Sequence, residues 1–176
     1  AIDALASIPG NEARKVTDLA ALVKSGLHRP AAIRALRKVP VKKWPAAEVS
    51  PLVDNLIGYL SEIPAAYRTG AAATDASTLA RSLASRLTPD RGRALQLRLK
   101  NLDVRVIAIG TVPHRMIFDK EQIVIQAGKP VEFRFSNTDN MPHNFAITQP
   151  GSLAEIGLKA EATARDPHAM ARHYIP

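Results

Sequence analysis

The chain has no cysteine in its 176 residues. That absence removes disulfides, thiolate nucleophiles and the Cys-x-x-Cys-His attachment of haem from anything these residues do by themselves. Glycine is sparse as well, with nine residues, and none are arranged as a dinucleotide-binding loop. The Gly128-Lys129 pair lacks the upstream glycine of a phosphate loop and runs straight into Pro130. No Gly-x-Ser-x-Gly elbow and no His-Glu-x-x-His motif occurs. An enzyme reading therefore has no motif to stand on, and catalysis, where it exists, is expected in parts other than these. No apolar run is long enough for a transmembrane segment, and the chain, opening at Ala1 with no initiator Met, basic n-region or apolar h-region, is expected to be processed or cut from something longer.

What is present divides in two. Residues 1–102 hold 16 Lys and Arg against 8 Asp and Glu, whereas residues 103–176 hold 8 of each, so the whole formal charge of +8 belongs to the first part. The sequence predicts a basic helical domain over 1–102 and a second, β-rich domain over 103–176. A hydrophobic fraction of 46% is ordinary for globular protein. A pI near 10.1 and the cluster Arg34, Arg37, Lys38, Lys42 and Lys43 around Trp44 raise nucleic-acid binding. The excess is spread over five expected helices without a recognition motif, which favours solvated helix faces or an acidic partner protein.

The first part reads as helices joined by short turns marked with proline. Asn11 is placed as an N-cap and Gly26 as a C-terminal glycine, with Val16, Leu19, Ala20 and Val23 on one face between them. A second helix runs from Pro30 to a stop before Pro40. In the third, Val49, Leu52, Val53, Leu56, Ile57 and Leu60 recur at helical spacing, with Pro64 as terminator. A fourth is expected over 74–87 with Leu79 and Leu83 inward, and a fifth over 89–102. Five such helices make an antiparallel array or a helical-repeat segment.

The second part is expected to begin with a strand over 103–108, followed by short strands over 116–118 and 122–126 and a turn over 127–130. Val131, Phe133 and Phe135 then alternate with Glu132, Arg134 and Ser136, the two-residue period of a half-buried strand. Turn formers occupy 137–140, and Met141-Pro142 deliver His143 at the mouth of the apolar stretch 144–148. A loop histidine between two strands is where a metal ligand would be placed. Beyond it, helices are expected over 153–164 and 166–173.

The stretch 133–147 resembles the cupredoxins, the blue copper proteins of the azurin, auracyanin and plastocyanin type. The resemblance implies a partial Greek-key β-sandwich with a helical insert, following the helical array. It implies His143 as an equatorial copper ligand, the Pro142 carbonyl as a distant axial contact and Asn144 as the neighbour that ties the ligand loops together. The Cys, second His and Met of such a centre lie on a later loop, and residues 1–176 carry no such loop. The chain is accordingly read as a fragment of a longer exported protein, periplasmic or secreted, working in electron transfer with a redox partner such as a cytochrome or a fused haem or dehydrogenase domain. The segments 37–45 and 109–113 resemble the helical approach to the copper module in large secreted haem and dehydrogenase-like proteins of planctomycetes.

Other readings stand beside this one. A metal-free structural or interaction module, helical scaffold plus β-sandwich, needs no ligand at all. A cysteine-free copper site would combine His143 with His168, His173 or a methionine. His168 and His173 are five residues apart, about 140° around a helix, and so do not form a ligand pair on one face. Met116, Met141 and Met170 are expected as core fillers, and His28 near the end of the first long helix. His114 follows Pro113 and belongs to no motif.

Overall fold

The computed structural model describes residues 2–172. Helices dominate it: α1 (Ile2–Ser7), α2 (Glu12–Ser25), α3 (Arg29–Arg37), α4 (Ala46–Glu62), α5 (Ala71–Leu83) and α6 (Pro89–Leu102) precede two strands, β1 (Arg105–Gly110) and β2 (Val131–Ser136), and α7 (Leu153–Ala164) follows them. By internal contacts the chain falls into two units, one made of Ala1–Val106 with Ile125–Glu132 and the other of Ile107–Val124 with Phe133–Pro176.

In the first unit the apolar stripes meet as their spacing demands. All six stripe residues of α4 are buried, and α2 turns Val16, Leu19, Ala20 and Val23 inward. At about 2 kcal/mol for each large aliphatic side chain removed from water, the α4 stripe alone outweighs any helix propensity in that segment. α2 packs on α3 and α4, α3 on α1 and α5, and α4 on α5 and α6. Gly26 ends α2 with φ of 79°, the left-handed conformation that a glycine adopts without strain. Asn11 does occupy the N-cap position of α2 but is itself left-handed, and its side chain caps nothing. The expected fourth helix stops at Leu83 and tightens into a 3-10 turn, Ala84–Arg86. α1 was not expected: six residues carry too short a pattern to read.

The surplus positive charge of this unit has a structural use. Every acid of residues 1–102 except Glu62 faces a cation: Lys38 at Asp3, Lys43 at Glu12, Arg14 at Asp18, Lys24 at Glu48, Arg91 at Asp54, Arg37 at Asp75 and Arg93 at Asp90. Several of the remaining cations donate to backbone carbonyls at or just beyond helix ends. Arg29 Nε reaches Val23 O at 2.9 Å, Arg68 Nε reaches Ile63 O at 2.8 Å, and Lys15 Nζ donates to Ile8 O. Arg86 spans to Val41 O at 3.0 Å and Trp44 O at 3.2 Å. Cations at helix C-termini answer both the orphan carbonyls and the negative end of the dipole.

The second half departs from expectation. The partial Greek-key β-sandwich of cupredoxin type is not present: the strands form one parallel pair, β1 beside β2, and no sandwich exists among the described residues. Thr111 N donates to Ser136 O at 3.2 Å, continuing the ladder one residue past the end of β1. The expected strand over 116–118 reduces to one antiparallel bridge between Thr111 and Phe118, and 122–126 and 144–148 form no strand. A strand needs a ladder partner as well as apolar residues. Residues 122–126 are not built into a ladder, and Val124 and Ile125 stand 69% and 52% exposed. α7 matches the expected helix, whereas 166–173 yields only a 3-10 turn, Met170–Arg172, with His173 outside the described residues. Met116, Met141 and Met170 are exposed and fill no core.

Candidate metal-ligand site around His143

The chain's four phenylalanines, Phe118, Phe133, Phe135 and Phe145, all lie in the second unit and pack together. Phe133 and Phe135 project from the same face of β2, as the alternation requires, and both meet Phe145, at ring separations of 5.6 and 6.0 Å. Phe118 meets Phe145 edge-on at 5.7 Å. Edge and offset contacts at these distances are the favourable geometries for aromatic quadrupoles. Phe145 is thereby seated, and His143 is fixed two residues before it.

The polar turn ahead of the histidine is ordered by its own side chains. Asn137 Oδ1 accepts from Thr111 Oγ1 at 3.1 Å and from Asp139 N at 3.0 Å, while Asn137 Nδ2 donates to Met141 O at 2.7 Å. Thr138 N donates to Thr111 Oγ1 at 3.0 Å, and Thr111 is itself buried. These bonds pair the Thr138 and Asp139 N–H groups and the Met141 carbonyl without a ladder. Below it, Gly110 and Asp119 close the loop 111–118, the Gly110 N–H donating to Asp119 Oδ1 and the Asp119 N–H to Gly110 O, each at 2.9 Å. Lys120 beside it, joined by the Gly110 N–H, holds the Asp119 carboxyl below the usual carboxylate range.

Asp139 is the centre of this arrangement. Its side chain is 1% exposed, and its Oδ2 lies 3.2 Å from His143 Nε2, the histidine side chain being 7% exposed. The same Oδ2 accepts the His114 N–H at 2.9 Å, and Oδ1 accepts the Asn140 N–H at 2.7 Å. Burial works to raise this carboxyl, but the N–H of Asn140, the His143 ring and the N–H groups of His114 and Met141 outweigh it and hold it below its ordinary value. His114 takes a left-handed φ of 60° after Pro113, and Arg115 N returns to Val112 O at 3.1 Å. Proline followed by a residue at positive φ is the pattern of a type II turn. That turn aims the His114 N–H at Asp139.

Of the residues singled out from sequence, His143 is the one the fold places in a built environment. Pro142 and Asn144 are exposed, and the Asn144 amide makes no hydrogen bond to the described residues. His114 reaches the site through its backbone, while His28 and His168 are exposed. Among the described residues no three His, Cys, Asp or Glu side chains converge as a metal would require. A blue copper centre needs two imidazoles and a thiolate. The chain has no cysteine, so these residues by themselves do not make such a centre. Sequence reading missed Asp139, Thr111 and Asn137, which it counted only as turn formers or strand neighbours. The available signal was the Asn-x-Asp pair four and six residues ahead of the histidine.

The basic cluster around Trp44 has a different character. Trp44 is 3% exposed and its Nε1 donates to Val39 O at 3.0 Å, so its ring is a core element and offers no stacking platform. Arg37, Lys38 and Lys43 are engaged by Asp75, Asp3 and Glu12. No helix among the described residues is long and apolar enough to cross a membrane. No protein-family model matches the chain, and no curated protein or solved structure is significantly similar to it.

Proposed function

We propose that the second unit contributes His143 as one imidazole ligand of an electron-transfer copper centre, the other ligands coming from polypeptide outside these 176 residues. The observation that carries the reading is the state of the His143 ring: shielded, tied through Nε2 to a carboxylate, and with no hydrogen bond to Nδ1 from the described residues. Metal-ligating histidines commonly hand one ring N–H to such a carboxylate, which fixes the ring and makes it more basic. The local likeness of 133–147 to the first ligand loop of blue copper proteins supports the choice of copper. On this reading the protein is exported, and its partner is a redox protein such as a cytochrome or a fused haem or dehydrogenase domain.

Adding Cu(I) or Cu(II) to the chain and following the histidine ring resonances tests the proposal. Binding centred on His143 and abolished in His143→Ala supports it; copper uptake indifferent to that substitution, or none, overturns it. The reading frame on the carboxy-terminal side offers a second test. A Cys, a His and a Met in one short loop there support the proposal, and a frame without cysteine removes it.

A second reading, a metal-free interaction module, is favoured by a separate observation. Met116, Ile117, Val124, Ile147, Leu153 and Leu158 of the second unit are all largely exposed, while Ile107 and Ile109 are its large buried aliphatic side chains among the described residues. Where such side chains adjoin, exposed apolar surface marks a site of association. Association with a partner protein that is unchanged in His143→Ala would favour this module over the copper site.

A further inference from the structure

We propose that Asp139 is the positioning residue of this site, a carboxylate that ties two loops to one ring and sets which nitrogen of His143 is offered. Its use rests on the metal reading above, but its geometry does not.

Three donors at 2.7–3.2 Å, with the Met141 N–H beside them, converge on the Asp139 carboxylate. The His114 N–H comes from the turn after β1, the Asn140 N–H from the next residue, and the His143 ring from four residues on. A carboxylate is an acceptor only, so the nitrogen facing it, Nε2, is the one that carries the proton. Nδ1 then holds the lone pair. Nδ1 has no hydrogen-bond partner among the described residues, yet no buried side-chain nitrogen or oxygen is left unsatisfied. Nδ1 is therefore the ring nitrogen left uncommitted by the described residues, while Nε2 is committed to Asp139. The ring is held with one face of its chemistry spent on the protein and the other open to a cation.

The same carboxylate bears on two features of the loops around it. His114 adopts a left-handed backbone that is uncommon for a residue with a side chain, and the gain is the 2.9 Å bond from its N–H to Asp139 Oδ2. The 137–141 turn is cross-braced by Asn137 and Thr111, which fixes where the Asp139 carboxylate stands.

Nitrogen-15 correlation spectra of the metal-free chain read this directly. The wild type should show His143 protonated at Nε2, with that proton shielded from solvent exchange and visible as its own downfield resonance. Asp139→Ala should lose the resonance, whereas Asp139→Asn, whose side-chain oxygen still accepts from the ring, should retain it. A wild type protonated at Nδ1, or an Nε2 proton that exchanges freely, overturns the proposal without recourse to any variant. So does an Asp139→Ala protein that keeps the protected proton. A metal arm separates this proposal from the one before it. Cu(I) or Zn(II) that perturbs Nδ1 while the Nε2 proton stays in place supports both. Ions that leave Nδ1 untouched refute the copper reading and leave Asp139 in its role. An ion that displaces the Nε2 proton refutes the role itself.

Discussion

Replacing Phe145 with alanine removes the ring on which the other three phenylalanines converge, and the structure sets the size of the effect. Three aromatic contacts are lost, with Phe118, Phe133 and Phe135. Each is worth about 0.5–1.5 kcal/mol beyond area burial. A fully buried Phe→Ala change costs about 3–5 kcal/mol. Phe145 is half-buried, and ring contacts overlap with burial, so about 2–3 kcal/mol is expected. The loss belongs to the second unit and should be read there. The Thr111 amide, bonded to Ser136 O at 3.2 Å, is a suitable probe for native-state hydrogen exchange. Its exchange should quicken about thirtyfold to a hundredfold, at about 1.4 kcal/mol per factor of ten. The shielded His143 Nε2 proton should weaken in parallel, because the ring is anchored two residues away. A change below about threefold at Thr111, with the His143 proton intact, would show that the phenylalanine cluster does not seat the loop that carries His143. Phe145→Leu, which keeps much of the apolar bulk, should cost about 1 kcal/mol.

Three further outcomes follow from other contacts. Arg86→Met keeps the apolar stem but removes the bonds to Val41 O and Trp44 O, and should lower the stability of the first unit by about 1–2 kcal/mol in chemical denaturation; an unchanged midpoint would deny these bonds their role. His114→Gly relieves a positive φ at the third position of its turn while keeping the N–H to Asp139, and should raise the stability of the second unit by about 1 kcal/mol in the same exchange assay; destabilisation would argue that the His114 ring itself is needed. Asp139 and Asp119 both have carboxyls held below their ordinary value of 3.8, so each contributes stability that is present above that value and lost as pH falls through the lower folded-state value; the second unit should therefore loosen below about pH 4, and Asp139→Asn should flatten this acid limb.

The helices were legible because their information is local. In α4 the periodicity of Val49 to Leu60, closed by Pro64, names both the element and its buried face, and the structure buries all six of those side chains. Pro89 and Leu102 likewise mark both ends of α6. The strands were less legible because half of the information lies in a partner. Residues 131–136 alternate and find β1, while the apolar residues of 122–126 find no ladder. A sandwich inferred from the resemblance needed more strand pairs than these residues form. Met116, Met141 and Met170 misled for a related reason, since apolar character alone does not create a core to enter. At the site, His143 stood out through its neighbours in sequence. Asp139 did not, because a carboxylate four residues from a histidine is a recognisable pair on a helix, whereas here a loop brings the two together.

The placement of the aromatic residues has a practical corollary in optics. The only indole, Trp44, is buried in the first unit, and every phenylalanine belongs to the second. Indole emission will therefore trace the melting of the helices and stay blind to the loop that carries His143, whereas phenylalanine fine structure or ring protons will do the reverse. A single-wavelength denaturation curve for this chain describes one unit, selected by the choice of wavelength, and only superposition of the two curves would license one unfolding free energy for the whole.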